Sequence, residues 1–151
     1  MPFLELLPPE QVRIGVVVDD KSGLLDLLSR MLAEGDDAGP THEALAARER
    51  LGSTGLGHGV AIPHGRSNTV TQARAAFVRL EPPIDFGADD GVAVDLVAAL
   101  IVPAHFTDQH LKLLAELAEL FSDRAMTAAL REARDSTELY AVLRRGLRAE
   151  G

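Results

Sequence analysis

The chain has 151 residues, a length typical of one domain, so we expect residues 1–151 to fold as a single domain with a sizeable core. A composition of 46% hydrophobic and 25% charged residues excludes disorder of the whole chain, and the absence of cysteine excludes disulfides, a cysteine nucleophile and thiolate metal sites. The net charge of −8 disfavours binding to nucleic acid or to an anionic membrane surface, and it suits a partner with a basic face.

The first half of the chain predicts one strand followed by two helices. Residues 12–18 are rich in β-branched side chains, which favours a strand. Residues 19–22 offer N-cap side chains for an amphipathic helix whose leucines recur at helical spacing as far as Leu32. Residues 35–40 are typical of a loop, and residues 42–51, which are dense in Ala, Leu, Glu and Arg, predict a second helix.

The second half predicts three strands and three helices. Apolar runs at residues 60–62 and 73–80 predict strands, the second of them ended by a turn at residues 81–83. The nearly continuous apolar run at residues 92–102 predicts a strand buried on both faces. Three helices should follow, beginning near Thr107 or Asp108, near Asp123 and near Ser136. This mixture predicts an α/β fold in which helices cover a central sheet.

We expect a protein of the cytoplasm that does not insert into a membrane. The N-terminal segment lacks a basic start, a long apolar run and a small-residue cleavage site. The longest apolar stretch, residues 92–104, is interrupted by Asp95 and Pro103 and is too short to cross a bilayer. A reducing compartment also fits a chain without cysteine.

Among the five histidines, His64 has the most informative surroundings. It comes after a predicted strand and Pro63, and Gly65 follows it. Pro63 restricts the backbone and Gly65 allows it to turn, so we expect the imidazole on a rigid, accessible turn at a sheet edge. Such a turn suits a group that must meet another macromolecule, and an ordinary turn histidine fits the same pattern equally well.

His110 lies at the predicted start of the helix that follows the buried strand. With Thr107 as the N-cap it would be the third helical residue, where free backbone N–H groups and the helix dipole favour an anion and a neutral imidazole. A histidine there can donate an N–H to a phosphate oxygen. A solvated first-turn histidine is the alternative interpretation.

The glycine-rich segment 52–65 and its neighbours offer candidates for binding phosphate. Arg48 can make bidentate contacts to a phosphate group. Hydroxyl or backbone N–H donors are available at Ser53, Thr54 and Gly65. An exposed charge cluster and a simple turn are the alternatives. The glycines match neither the dinucleotide-binding fingerprint nor the P-loop, because no Gly-Lys-Ser/Thr is present.

A metal site and a serine hydrolase are less favoured. His58 and His64 are six residues apart and His105 and His110 are five apart, so neither pair has the helical His-x-x-x-His spacing. A metal would require several of these histidines to converge, and we assign none. The sequence also lacks the Gly-x-Ser-x-Gly turn of a serine hydrolase.

One basic cluster stands out near the C-terminus of this acidic chain, and it comprises Arg144, Arg145 and Arg148. Basic side chains in the last turn of a helix complement the helix dipole. We therefore interpret the cluster as a helix end rather than as a binding site.

Two segments resemble the active-site segments of a known family. Residues 48–65, Arg-Glu-Arg-Leu-Gly-Ser-Thr-Gly-Leu-Gly-His-Gly-Val-Ala-Ile-Pro-His-Gly, resemble the active-site segment of phosphotransferase-system enzyme IIA domains of the fructose/mannitol class. The Leu-Gly-Ser-Thr-Gly form is most similar to the nitrogen-regulatory branch. Residues 100–103 with residues 108–114 resemble the segment that carries the second histidine of the family. The resemblance extends over about residues 3–146.

The resemblance implies a fold and a role for three residues. His64 matches the histidine that an HPr-type phosphocarrier phosphorylates, and His110 matches the second, unphosphorylated histidine. Arg48 matches the active-site arginine of the family. The family fold is a mixed five-stranded sheet flanked by helices, and its phosphoryl exchange requires no metal or other cofactor.

The function implied by the resemblance is phosphoryl transfer. Neutral His64 would attack a phosphohistidine on the carrier, while its other ring nitrogen donates to a backbone carbonyl. The protein would then act as a regulator whose downstream partners depend on its phosphorylation state. The alternatives are a sugar-transport IIA subunit that passes the phosphoryl group to a IIB domain, and a binding module that has lost the transfer.

Overall fold

The computed structural model describes the backbone of residues 2–150 and the side chains of residues 2–147. Two short 3-10 helices, Phe3–Leu6 and Pro9–Gln11, come first in that range. The strands are β1 (Val12–Val16), β2 (Gly55–Gly57), β3 (Val60–Ala61), β4 (His64–Ser67), β5 (Arg74–Ile84) and β6 (Val94–Pro103). The α-helices are α1 (Lys21–Leu32), α2 (Ala38–Arg50), α3 (Thr107–Ser122), α4 (Arg124–Glu132) and α5 (Ser136–Glu150).

The six strands form one mixed sheet. Its order is β1-β5-β6-β3-β2, and β4 also pairs with β6. The pairs β1/β5, β3/β6 and β4/β6 are parallel, and β5/β6 and β2/β3 are antiparallel. Strands β3 and β4 lie end to end along β6, interrupted at residues 62–63, where Pro63 has no N–H to donate. The α/β class and the mixed sheet are therefore confirmed, but this interruption produces six strands where five were expected.

Strand β6 lies at the centre of the core because both of its faces are apolar. One face packs in the cluster formed with α3, α4 and α5 and contributes Leu96, Ala98, Leu100 and Val102. The other face packs in the cluster formed with α1 and α2 and contributes Val97, Ala99 and Ile101. Alternate strand residues point to opposite faces, so burial on both sides requires a continuous apolar run. The prediction for this strand is confirmed, with a shift of its start to Val94.

Two of the predicted helix starts are capped as expected. The Asp20 carboxylate accepts the N–H of Gly23 at 2.8 Å and caps α1. The Asp123 carboxylate accepts the N–H groups of Ala125 and Met126 and caps α4. Each aspartate thus satisfies backbone donors that have no partner within the helix.

Helix α2 begins earlier than the sequence predicts. It starts at Ala38, so the predicted loop at residues 35–40 is wrong over its last three residues. Pro40 is compatible with this start because it lies in the first turn, where a backbone N–H has no partner within the helix.

Strand β5 is longer than the sequence predicts. The predicted turn at residues 81–83 is wrong, because β5 continues to Ile84, which pairs with Val94 of β6. The register between β5 and β6 is irregular after Arg79. The exposed Pro82 and Pro83 lie within this irregular part, where the ladder does not need their N–H groups.

Gly65 occupies strand β4, so the predicted turn at this position is also wrong. A Cβ atom added at Gly65 would lie 2.9 Å from the carbonyl carbon and oxygen of Ala44 in α2. The α2 backbone thus rests directly on β4, and the glycine is required by this close approach rather than by a turn.

We expect Gly65→Ala to lower the free energy of unfolding by about 1–3 kcal/mol, since α2 must move to make room. Gly23→Ala in α1 is the matched control, because its Cβ would meet Asp20 Oδ1 at 3.4 Å without displacing backbone. Alanine is also the better helix former by about 1 kcal/mol. Urea denaturation followed by circular dichroism measures both changes, and equal destabilisation by the two variants would contradict the proposed contact.

Candidate active site

The imidazole of His64 is held by a hydrogen bond to the backbone two residues earlier. Its Nδ1 lies 2.7 Å from the carbonyl oxygen of Ile62. A carbonyl oxygen only accepts, so Nδ1 carries the proton and Nε2 keeps the lone pair. This confirms the expected contact to a backbone carbonyl. The expected accessible turn is wrong, because His64 begins β4, pairs with Leu100 of β6 and is only 8% exposed.

His110 lies beside His64. The two ring centroids are 5.2 Å apart and the ring planes meet at 75°. Helix α3 begins at Thr107, which makes His110 the fourth helical residue rather than the third, and Phe106 occupies the N-cap position without a side-chain hydrogen bond. The side chain is 9% exposed, so the solvated first-turn interpretation is wrong. Its buried Nε2 has no hydrogen-bond partner within residues 2–147.

Both histidines are held in the neutral form at neutral pH. Burial lowers the pKa of His64, and the positive charge of Arg48 lowers it further, against opposing effects of the Ile62 carbonyl and Glu49. Burial lowers the pKa of His110 to about 4, with smaller contributions from His64 and Arg66. The site therefore presents an uncharged nucleophilic nitrogen beside a second uncharged imidazole.

A cavity of about 850 Å³ opens above the two histidines. Helix α2, strand β4 and the start of α3 supply its walls. Its lining consists of Ala44, Ala47, Arg48, Arg50, Leu51, His64, Gly65, Arg66, Ala104, Thr107, His110, Leu111 and Leu114. The lining is apolar apart from the histidines, three arginines and one threonine, and it contains no carboxylate. An acidic chain thus presents a basic and apolar surface at this cavity.

Arg48, which the sequence offers as a phosphate ligand, lines the same cavity as the two histidines. It lies at the end of α2, and its Nη1 donates to the Gly52 carbonyl at 2.8 Å. Sequence reasoning missed Arg66, which lines the same cavity from β4. The sequence predicts a turn at His64, where side chains two residues apart need not share a face, so only the formation of strand β4 places both side chains in the same lining.

Two predicted phosphate-binding residues lie outside the cavity lining. Thr54 is buried, and its hydroxyl and backbone N–H both donate to the carboxylate of Glu49. That carboxylate is only 5% exposed and pairs with Lys21 at 2.7 Å. The Ser53 hydroxyl accepts the N–H of Gly55. The glycine-rich segment is thereby fastened to α1 and α2, whereas Gly65 does line the cavity.

The remaining histidines lie outside the cavity lining. His58 is exposed, and its backbone N–H donates to Asp90. His105 is exposed and packs edge-on against Phe106. Among the residues whose side chains are described, no three His, Asp or Glu side chains converge to hold a metal ion.

Two further predictions concern features outside the cavity. Arg144 and Arg145 are exposed on the last helix, as predicted, and the side chain of Arg148 lies outside the described residues. None of the helices in residues 2–150 combines the length and the apolarity needed to cross a bilayer.

Comparisons with known proteins agree with this geometry. The family model described as "Phosphoenolpyruvate-dependent sugar phosphotransferase system, EIIA 2" matches residues 5–146. A nitrogen regulatory protein from Bradyrhizobium diazoefficiens is 39% identical over 145 residues, which is 95% of each chain. The crystal structure of nitrogen regulatory protein IIA-Ntr from Neisseria meningitidis superposes with a TM-score of 0.84 at 39% identity and covers 93% of this chain and 97% of that one.

A more distant structure shows the same fold. The mannitol enzyme IIA from Escherichia coli, solved in complex with phosphorylated enzyme IIB, superposes with a TM-score of 0.75 at 20% identity and covers 91% of this chain and 98% of that one. The resemblance seen in residues 48–65 is therefore confirmed over nearly the whole length of the molecule. The chain belongs to the EIIA 2 family of the phosphoenolpyruvate-dependent sugar phosphotransferase system.

Proposed function

We propose that the protein is a cytoplasmic phosphoryl-accepting regulator, in which His64 receives its phosphoryl group from an HPr-type phosphocarrier. The observation that carries the proposal is the state of the His64 ring. The Ile62 carbonyl holds the proton on Nδ1, and burial keeps the ring neutral. Nε2 is thus a nucleophile in a cavity that also contains the guanidinium of Arg48.

The transfer exchanges one P–N bond for another. The lone pair of His64 Nε2 attacks the phosphorus of the donor phosphohistidine, and the electron pair of the broken bond returns to the donor imidazole. Positive charge that develops on the His64 ring is stabilised by the Nδ1–H bond to Ile62. Both ends of the exchange are phosphoramidates, so the step is close to thermoneutral and reversible.

Alignment and charge stabilisation supply the catalysis, because the phosphoryl group is only loosely bonded during transfer. Arg48 can bind two phosphoryl oxygens with its planar fork of donors. His110 lies 5.2 Å from His64 between ring centroids, and its unpartnered Nε2 is the atom available to contact a phosphoryl oxygen. A neutral imidazole has one N–H, so His110 can donate this bond without a proton being taken from solvent.

Phosphorylation would change the surface that partners meet. The cavity rim includes Leu51 and Leu111, whose side chains are 85% and 62% exposed, together with the cavity arginines. A phosphoryl group adds about −1.5 to −2 charge units at pH 7. The same apolar rim would then surround a neutral or negative centre instead of a basic one, which favours different partners in the two states.

A second candidate function is favoured by one comparison. The mannitol enzyme IIA that shares this fold was solved with a phosphorylated IIB. A IIA subunit of sugar transport would accept the phosphoryl group in the same way and pass it to a IIB domain of the fructose/mannitol class. Incubating the phosphorylated protein with such IIB domains distinguishes the two, because a regulator keeps its phosphoryl group there.

We expect His64→Ala to accept no phosphoryl group and His110→Ala to accept it about 10²-fold more slowly, the effect typical of losing one transition-state hydrogen-bond donor. The assay combines purified protein, phosphoenolpyruvate, enzyme I and an HPr-type phosphocarrier. Intact mass and acid lability report the product. His42→Ala is the matched control, since His42 lies on α2 outside the cavity lining.

Two outcomes of this assay would contradict the assignments. Phosphorylation of His64→Ala at the wild-type rate would place the acceptor elsewhere. Failure of the wild-type protein to accept a phosphoryl group from any of several carriers would leave a binding module, the third function considered, as the better description.

We expect a pH dependence of stability that originates at His110. Its folded-state pKa of about 4 lies below the ordinary 6.5, so the unfolded chain binds more protons between these values. The stabilisation is complete above pH 6.5 and is lost as the pH falls toward 4. Urea unfolding at a series of pH values gives the free energy of unfolding as a function of pH. Between pH 4 and 6.5 this free energy should rise less steeply with pH in His110→Gln than in the wild type. Parallel slopes would show that His110 titrates normally in the folded protein.

A further inference from the structure

The cavity contains an arginine to which the family resemblance assigns no role. Arg66 lies in β4 two residues after His64, so both side chains leave the strand on the same face. Both line the cavity. Arg66 is exposed there, whereas the imidazole of His64 is buried at the cavity wall.

Arg66 is directed toward the start of α3. Its Nη1 lies 3.3 Å from the hydroxyl oxygen of Thr107, the first residue of that helix. His110 lies three residues further along α3, and the positive charge of Arg66 contributes to the low pKa of His110. Arg48 has the corresponding effect on the pKa of His64. The pKa of each imidazole is therefore lowered by the charge of a different guanidinium.

The three cavity arginines differ in their ion pairs. Arg50 pairs with Glu43 at 2.7 Å. Neither Arg48 nor Arg66 has a carboxylate oxygen within 4.0 Å in the part of the chain whose side chains are described. An uncompensated guanidinium beside a buried imidazole is available for an anion, whereas Arg50 already has a carboxylate partner.

We infer that Arg66 is the second cation that binds the phosphoryl group of His64, on the side of Thr107 and His110, while Arg48 binds it from the end of α2. This inference rests on the proposed function. A phosphoryl group carries about −1.5 to −2 charge units, so one guanidinium leaves part of that charge uncompensated in a partly desolvated cavity. The contact to Thr107 holds the guanidinium fork in place before the phosphoryl group arrives.

The test compares Arg66→Gln with Arg66→Lys and with the matched control Arg134→Gln, an exposed arginine outside the cavity lining that pairs with Glu138. Single-turnover transfer from the phosphorylated carrier is measured over a range of carrier concentrations. We expect Arg66→Gln to lower the rate at saturating carrier by about 10²-fold. Arg66→Lys should recover part of this loss, because lysine keeps the charge but not the fork. Arg134→Gln should leave the saturated rate within about twofold, because that side chain lies outside the cavity lining.

A second measurement reports on the bound phosphoryl group directly. Titration of the phosphorylated protein by ³¹P nuclear magnetic resonance gives the pKa of the phosphoryl group. A nearby cation stabilises its dianion, so we expect this pKa to rise in Arg66→Gln and to stay unchanged in Arg134→Gln. Thermal denaturation of each variant checks that the fold is retained, and a merely structural role of Arg66 would not move the phosphoryl pKa.

Three results would overturn the inference. One is that Arg66→Gln has the same transfer rate at saturating carrier, and the same phosphoryl pKa, as the wild type. Another is an effect confined to the carrier concentration needed for saturation, which would make Arg66 a docking residue. The third is an equal effect of Arg134→Gln, which would indicate a general influence of surface charge. In each of these the wild type still accepts its phosphoryl group, whereas a wild type that accepts none refutes the proposed function as well.

Discussion

The chemistry of the site depends on one hydrogen bond, from Nδ1 of His64 to the carbonyl oxygen of Ile62. Because that oxygen only accepts, the bond places the proton on Nδ1 and the lone pair on Nε2. Pro63 lies between the two residues, at the interruption along β6 where β3 ends and β4 begins. Both short strands pair with the buried β6, so His64 is attached to the centre of the core.

The helices around His64 form a cavity lined by histidine and arginine side chains. Helix α2 reaches β4 because Gly65 has no side chain, and its end brings Arg48 to the cavity. Helix α3 brings His110 within 5.2 Å of His64 between ring centroids. Guanidinium groups beside two neutral rings make the cavity basic although the chain carries a net charge of −8. The expectation of a basic partner face, drawn from net charge, therefore does not hold for this cavity, since a cavity responds to the charges that line it.

The glycine-rich segment has two different physical tasks. Its C-terminal end lines the cavity through His64 and Gly65. Farther back, Thr54 binds the buried carboxylate of Glu49, which pairs with Lys21 on α1. The Thr54 hydroxyl, which the sequence offers as a phosphate donor, thus donates its hydrogen bond to the carboxylate of Glu49 instead. Residue type and proximity to a motif did not distinguish these tasks, because both use the same hydrogen-bonding groups.

The sequence by itself determined the α/β class, the doubly buried strand and the starts of α1 and α4, because these depend on local patterning. A specific motif also singled out His64 and His110, which the structure brings together. The tertiary structure decided the rest. The start of α2, the length of β5 and the burial of His64 depend on partners distant in sequence, and the place of Arg66 in the cavity depends on β4 pairing with β6. Local propensity carries no information about which distant segments of backbone pack against each other. The contacts of β4 with β6 and with α2 nevertheless set the geometry and the charge of the site.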